Sequence, residues 1–228
     1  MNNYFFSKNS DGTPKIKICG LTDPEEARQC AQMGADAIGL VFYPESRRFV
    51  DPGRARQIVE YLPDETMPVG VFVNESFETI MHVAQYTGIR TVQLHGSESP
   101  DMVYALTQLG LTVIKALFAN YPPWIFEFFR YPADAFLVEC PSEDMPGGTG
   151  REWDWSKAVG YASSFPLILA GGLTPENVIS AVRMVEPCMV DVSSGVEVSS
   201  GRKSLVKVKK FIEQVRRSSY INSRSMIL

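Results

Sequence analysis

A cysteine and a glutamate close two widely separated β-branched runs of this sequence, and both carry groups that can move a proton. Cys19 ends the run Lys15–Cys19, and Glu139 ends the run Ala135–Glu139. A thiol acts as a base once it loses its proton, and a neighbouring cation such as Lys17 favours that loss. A partly desolvated carboxyl can donate a proton. The pair therefore indicates acid–base chemistry, although a free cysteine is more often a small buried hydrophobe and Glu139 could equally be a surface ion-pair partner.

Successive side chains of a strand point to opposite faces, and this alternation, or parity, predicts which of these groups faces the site. In the first run Cys19 shares its face with two lysines, while Ile16 and Ile18 occupy the other face. In the second run Glu139 shares its face with an alanine and a leucine, whereas Cys140 shares its face with a phenylalanine and a valine. We therefore expect Cys19 and Glu139 to face the reaction site and Cys140 to pack beneath the surrounding helices.

Three glycine-bearing segments are candidates for binding an anion. Exposed backbone N–H groups beside a helix start bind phosphate, and β/α barrels often hold one after strands seven and eight. Glycine is also the residue of tight turns, so one segment alone would indicate little. Because two of the three follow adjacent predicted strands, they predict a phosphate site. The segments are Gly147-Gly148-Thr149-Gly150, Ala170-Gly171-Gly172 and Ser193-Ser194-Gly195.

Four further polar residues stand at or near predicted strand ends. Arg48 follows the second run, where a guanidinium could clamp a carboxylate with two parallel hydrogen bonds. Gln93 and His95 end the fourth run with common parity, and either could orient a substrate. Asp191 is a charge inside a strand, so it is either functional, as a substrate contact, or held in a buried network. The second histidine, His82, lies in a predicted helix and is interpreted as structural.

Eight β-branched runs, each followed by an amphipathic stretch, predict a single closed (β/α)8 barrel of the TIM type, an α/β fold. The length of 228 residues suits the ~250-residue barrel, whose active sites lie at the C-terminal strand ends. We expect an N-terminal extension over 1–14, the catalytic barrel over 15–217 and a frayed tail over 218–228. The predicted strands are Lys15–Cys19, Ala37–Phe42, Val69–Val73, Thr91–Leu94, Thr112–Ala116, Ala135–Glu139, Leu167–Ala170 and Val190–Ser193.

The helices are predicted from polar caps and first-turn prolines. The fifth is the least regular, because the segment Trp124–Phe129 is almost entirely aromatic. It could be a short helix with an apolar face or a contact for a partner, and we expect packing. The predicted starts are Thr22-Asp23-Pro24, Asp51-Pro52, Ser76, Ser99-Pro100, Pro122, Asp154, Thr174-Pro175 and, for a last helix ending near Arg217, Ser204.

Composition excludes several classes of protein. A net charge of −4 offers no electrostatic footprint for nucleic acid or an anionic membrane. The four cysteines have no C-x-x-C spacing, which argues against a zinc site and for a reducing compartment. No secretory signal and no apolar run of ~20 residues is seen, so we expect a cytoplasmic protein. The absence of nucleotide-binding fingerprints agrees with an enzyme that needs no cofactor and no metal.

Seven segments, in order along the chain, together resemble the phosphoribosylanthranilate isomerase family of tryptophan biosynthesis. The resemblance runs from Lys15 to about Phe211. Any one segment could arise by chance, but seven in order are highly specific. They are Lys17–Thr22, Gly34–Arg48, Val69–Asn74, Val92–Gly96, Gly147–Trp155, Leu169–Leu173 and Asp191–Glu197.

The resemblance implies an Amadori rearrangement of N-(5-phosphoribosyl)anthranilate to 1-(2-carboxyphenylamino)-1-deoxyribulose 5-phosphate. An acid protonates the furanose ring oxygen, the ring opens to an iminium, and a base removes the proton from C2′. Cys19 matches the family's general base, and Arg48 matches the arginine that holds the anthranilate carboxylate. The phosphate is then expected on the glycines after strands seven and eight.

The sequence departs from the family at the general acid, where an aspartate is usual and Glu139 stands one methylene longer. A gapped alignment could place Cys140 or Asp144 there, but parity favours Glu139. Ser204 also replaces a usual aspartate. Two other functions stay open: a histidine-pathway isomerase, disfavoured because Cys19 stands where that enzyme carries an aspartate, and a silent barrel serving as a binding or partner subunit. A monomer or a homodimer is expected.

Overall fold

The computed structural model describes residues 4–140 and 153–222, and its centre is a closed barrel of eight parallel strands in sequence order. Each strand pairs with the next, and pairing of the first with the eighth completes the barrel. This confirms the predicted fold class. The strands are β1 (Lys15–Cys19), β2 (Ala37–Val41), β3 (Met67–Phe72), β4 (Thr91–Leu94), β5 (Thr112–Phe118), β6 (Ala135–Glu139), β7 (Leu167–Leu169) and β8 (Met189–Val192).

Six α-helices surround the barrel within the described part of the chain. The first four begin at the predicted residues, because Asp23, Asp51, Ser76 and Ser99 each accept a backbone N–H of the first turn. The helices are α1 (Pro24–Gln32), α2 (Pro52–Tyr61), α3 (Phe77–Thr87), α4 (Pro100–Gln108), α5 (Val178–Val185) and α6 (Leu205–Asn222).

The fifth and sixth helices of the sequence prediction are 3-10 segments instead. One covers Ile125–Arg130, and the other position holds the short turns Trp155–Ala158 and Tyr161–Ser163. A 3-10 helix has three residues per turn, so its sides repeat at every third residue. Ile125 is buried and Phe128 packs against Phe165, with ring centroids 4.8 Å apart.

The opposite side of that segment carries Phe126 and Phe129, which are exposed. The expectation of packing therefore holds for only half of the aromatic segment.

The two helices at the end of the chain also differ from the prediction. α5 begins three residues after Pro175, because the side chain of Asn177 accepts the Thr174 N–H and holds the intervening residues in a turn. α6 continues beyond Arg217 to Asn222, with Ser218 buried and its hydroxyl donating to the Val215 carbonyl. Ser204 accepts the Lys207 N–H and caps α6, so serine serves as the helix cap at this position.

The alternation of side chains along the strands divides the core into two layers. Ile16, Ile18 and their counterparts pack between the barrel and the helices. The inner layer fills the barrel with residues such as Ala37, Leu137 and Met189, and Phe6 belongs to this same cluster. The region predicted as an N-terminal extension thus supplies Phe6, only 5% exposed, as an apolar plug.

Two further features concern the helices and the metal-ligating side chains of the residues described. None of their helices is both long enough and apolar enough to cross a membrane. Their His, Cys, Asp and Glu side chains form no group of three or more that could hold a metal ion.

Candidate active site

Cys19 ends β1 on the inner face of the barrel, where parity predicted it. It pairs in register with Gly39 of β2, and a Cβ on Gly39 would come within 2.6 Å of the Cys19 sulfur. The glycine therefore provides the space that the thiol occupies. Cys19 is 8% exposed.

Burial and nearby charges act in opposite directions on the Cys19 thiol. Burial raises the pKa of the Cys19 thiol, and Lys17 and Lys203 oppose this shift without reversing it. Lys17 Nζ lies 3.0 Å from Asp191 Oδ1 in a buried ion pair, and the Asp191 charge itself raises the pKa of Cys19. Lys17 therefore favours loss of the thiol proton, as the sequence predicted, but burial is the larger influence on that pKa.

The ion pair also locates Asp191. Its partner Lys17 is in register with it across β1 and β8, inside the barrel. The sequence allowed a functional role or a buried network, and the structure places Asp191 in such a network. Its role as a substrate contact stays a prediction.

Glu139 ends β6 inside the barrel and lies in a chain of three polar side chains. Its Oε1 is 2.7 Å from His95 Nε2, and His95 Nδ1 is 2.8 Å from Gln93 Nε2. All three residues are buried, and Phe118 packs edge-on against the imidazole. Gln93 and His95, predicted as separate substrate contacts, are thus brought together with the candidate acid.

The alternatives to Glu139 have different surroundings. Cys140 is half-buried next to Glu139, and burial raises the pKa of its thiol while Lys157 opposes that shift. Asp144 lies outside the described residues. A buried carboxyl on the inner face makes Glu139 better placed than Cys140 for proton donation.

Arg48 is held by a carboxylate that the sequence analysis did not assign. Its Nε and Nη2 donate to Glu197 Oε1 and Oε2, both at 2.8 Å, so one edge of the guanidinium is occupied. Lys203 Nζ also donates to Glu197 Oε1 at 2.8 Å and to the Ser193 carbonyl at 3.2 Å. Within the described part of the chain, the side-chain hydrogen bonds of Arg48 use Nε and Nη2 and none uses Nη1.

Glu197 and Lys203 belong to a small hairpin after β8, formed by β9 (Glu197–Ser199) and β10 (Arg202–Lys203). Burial alone raises the pKa of Glu197, but the bonds from Arg48 and Lys203 outweigh it and leave that pKa below its ordinary value. Glu197 closes the last of the seven family-like segments, Asp191–Glu197, but the sequence analysis gave it no role. Its charge, close to the turn at Gly195, is the one sequence signal that could have identified it.

The glycines after β7 and β8 lie close together in space. Gly171 and Gly172 have φ angles of 82° and 70°, a backbone that other residues rarely adopt. A Cβ on Gly195 would lie 1.9 Å from the Leu173 carbonyl oxygen, so the two loops touch there. Among the described residues the hydrogen bonds include none donated by the N–H groups of Gly172 or Gly195. Ser194 begins a short 3-10 turn beside them.

The third predicted glycine segment, with Gly148 and Gly150, lies outside the described residues. The first described residue after that segment is Trp153, whose Nε1 donates to the Ala170 carbonyl at 2.9 Å. A Cβ on Gly171 would come within 2.8 Å of that same indole nitrogen. The sequence analysis did not assign Trp153, because nothing in its spacing marks the contact.

A closed parallel barrel with a thiol, a carboxyl and an arginine at the C-terminal ends of its strands defines an acid–base enzyme of the (β/α)8-barrel class. The family model described as N-(5'-phosphoribosyl)anthranilate (PRA) isomerase matches residues 16–214. The chain therefore belongs to the N-(5'-phosphoribosyl)anthranilate isomerase family.

Individual relatives agree with this assignment. The isomerase of Desulfatibacillum aliphaticivorans is 50% identical over 199 residues, which is 87% of this chain and 91% of that protein. The crystal structure of phosphoribosyl anthranilate isomerase from Thermotoga maritima has a TM-score of 0.81 at 39% identity, covering 89% of this chain and 98% of that one. Another solved member, in complex with reduced 1-(o-carboxyphenylamino)-1-deoxyribulose 5-phosphate, has a TM-score of 0.78 at 38% identity, with the same coverage of both chains.

Proposed function

We propose that this protein converts N-(5-phosphoribosyl)anthranilate to 1-(2-carboxyphenylamino)-1-deoxyribulose 5-phosphate in tryptophan biosynthesis, with Cys19 as general base and Glu139 as general acid. The single observation that carries the assignment of roles is that both groups are buried on the inner face at the C-terminal end of the barrel. The complex of a solved family member with the reduced product supports the choice of substrate.

The first proton transfer belongs to Glu139. Its carboxylic acid gives a proton to the furanose ring oxygen as the bond from that oxygen to C1′ breaks, and the anthranilate nitrogen supplies the electron pair that forms the iminium. The Cys19 thiolate then takes the proton from C2′. The electron pair of the broken C2′–H bond neutralises the iminium and gives the enol, which becomes the ketone. The two steps therefore need no redox partner.

Burial disfavours the thiolate required for this second step, because it raises the pKa of Cys19. Lys17 and Lys203 are cations that act in the opposite direction on that thiol. We assign them the role of keeping the thiolate accessible in a site from which water is excluded.

The two ends of the substrate are anionic and need separate positions. The free end of the Arg48 guanidinium takes the anthranilate carboxylate, while Glu197 fixes the orientation of that guanidinium from its other edge. The phosphate rests on backbone N–H groups of Gly171, Gly172, Ser194 and Gly195, where the loops after β7 and β8 meet. Gly148 and Gly150 are proposed to complete that site.

The test follows loss of the substrate's anthranilate fluorescence with purified protein. Cys19→Ser and Glu139→Gln should each lower kcat by ~10²-fold or more, the usual contribution of a positioned acid or base. Complementation of a tryptophan auxotroph that lacks only this step checks the same activity in cells. Wild-type rates in either variant would remove that residue from the mechanism, and substrate binding without turnover by the wild-type chain would support a silent barrel instead.

The remaining expectations are part of the same proposal. The enzyme takes a small phosphoribosyl substrate, works without a cofactor in the cytoplasm, and is a monomer or a homodimer. Light scattering during size-exclusion chromatography decides between the two oligomeric states.

A further inference from the structure

We infer that Gln93 and His95 are positioning residues for Glu139: Gln93 selects the Nε2–H tautomer of His95, and His95 holds one carboxyl oxygen so that the other faces the substrate. This inference rests on the proposed function for its kinetic consequence. It changes the roles of two residues that the sequence pattern indicated as substrate contacts.

The direction of these hydrogen bonds is inferred from the orientation of the Gln93 amide. Gln93 presents its amide nitrogen, a donor, to His95 Nδ1 at 2.8 Å. A ring nitrogen that accepts a hydrogen bond carries no proton, so in the neutral imidazole the proton is on Nε2. Nε2 is 2.7 Å from Glu139 Oε1 and donates to it. Each link is then a single donor facing a single acceptor.

The oxygen end of the Gln93 amide differs from its nitrogen end. Gln93 Oε1 is buried and has no hydrogen-bond partner within the part of the chain described. Burying an unpaired acceptor is unfavourable, so the amide is turned toward His95 at a cost. The contact with Nδ1 is therefore the one that this side chain satisfies.

The consequence for Glu139 follows from its two oxygens. Oε1 accepts from His95 whether or not the carboxyl is protonated, so the transferable proton belongs on Oε2. A glutamate has one more rotatable bond than an aspartate, and the contact at Oε1 removes that freedom. After the proton has left, the Nε2–H bond stabilises the carboxylate.

Few other ionisable groups act on this chain in the described residues. Tyr121, from the loop after β5, and Cys140, next along the chain, interact with the Glu139 charge, and Lys157 lies near Cys140. The buried pair of Lys115 and Glu98 reaches the backbone beside His95 from the helix side of the sheet.

Imidazole nitrogen NMR tests the tautomer directly, because the chain has only two histidines. His82→Gln assigns the spectrum, since His82 stacks on Tyr86 in α3 away from the site. We expect His95 to show a pyridine-like Nδ1 and a protonated Nε2, and Gln93→Met to replace this with a tautomer mixture. A protonated Nδ1 in the wild-type protein, or an unchanged spectrum in Gln93→Met, would overturn the inference whether or not the protein isomerises the substrate.

Kinetics then separates positioning from substrate binding. In His95→Leu we expect kcat to fall ~10-fold or more, with little change in KM. His95→Gln, which keeps an N–H donor, should recover part of kcat. A raised KM with an unchanged kcat would show a substrate contact and contradict positioning, while a wild-type chain without turnover would count against the proposed function alone.

Discussion

The pKa of the Cys19 thiol is subject to two opposing influences, burial and neighbouring lysines. Burial raises its pKa, and the two lysines that oppose the shift are themselves bound to carboxylates, Lys17 to Asp191 and Lys203 to Glu197. Because each cation is partly neutralised by its partner, their effect on the sulfur is smaller than that of free ammonium groups. The reactivity of this cysteine therefore depends first on burial and then on carboxylates that do not themselves transfer protons in the proposed mechanism.

Removing Lys203 should move the Cys19 titration further upward. Lys203→Met deletes a cation that lowers the pKa of Cys19, so the thiolate should form at higher pH than in the wild-type protein. NMR of cysteine labelled with ¹³C at Cβ measures the titration, and Cys19→Ser assigns the signal. Lys209→Met, an exposed lysine of α6, is the matched control and should leave the midpoint in place. A downward shift in Lys203→Met contradicts this account.

Arg48 and Arg47 offer an adjacent pair for testing the carboxylate contact. Arg48→Ala should raise KM by about 10-fold or more, the effect expected from loss of a charged two-point hydrogen bond. The neighbouring Arg47 is exposed, so Arg47→Ala should leave KM within about twofold. Steady-state kinetics of the two variants checks this, and equal KM values would remove Arg48 from binding.

For single residues, the sequence predicted which side of a strand a side chain occupies better than it predicted the ion-pair partners of that side chain. Alternation along β1 and β6 placed Cys19 and Glu139 inside the barrel, because parity is a local property of a strand. The partners Glu197 and Lys203 depend on how a hairpin after β8 meets the loop after β2, which no local pattern encodes. The net pKa shift of Cys19 could not be predicted for the same reason, since the partner of Lys17 lies 174 positions away along the chain.

At the scale of elements, strands and capped helices were predictable and the irregular connections were not. β1, β4 and β6 have the predicted bounds, since β-branched runs between turns are a strong local signal. The connection over Ile125–Arg130 is rich in aromatic residues, which suit strands, helices and 3-10 turns about equally. Its conformation is set by packing of Ile125 and Phe128 on the core.

Two glycines separate the effect of a close contact from that of backbone strain. Gly195→Ala places a methyl group against the Leu173 carbonyl, so the loops after β7 and β8 must move apart and the KM for substrate should rise several-fold. Gly88 ends α3 with φ 78° and open space around it. Gly88→Ala should therefore lower stability by about 1 kcal/mol and leave KM unchanged. Thermal unfolding and kinetics of both variants test the contrast, which fails if Gly195→Ala keeps the wild-type KM.

For the whole molecule, the buried ion pairs couple folding to pH. The pKa of Glu197 is below its ordinary value in the folded protein, so its contribution to stability is present above the ordinary pKa of a glutamate and is lost as pH falls through the lower, folded value. Glu197→Gln should therefore flatten the fall in stability on the acid side. Urea unfolding of both proteins at neutral and acid pH measures this. An equally steep fall in the variant would assign acid sensitivity to other carboxylates.

Barrel closure also orders events in time during synthesis. β1 has β8 as one of its two neighbours, and Phe6 packs in an inner cluster that includes Met189 of β8. Residues made early by the ribosome thus acquire their final contacts only after those near position 190 have emerged. A nascent chain that stalls before β8 exposes both an unpaired strand edge and a phenylalanine without its cavity, which are features that chaperones bind and that promote aggregation.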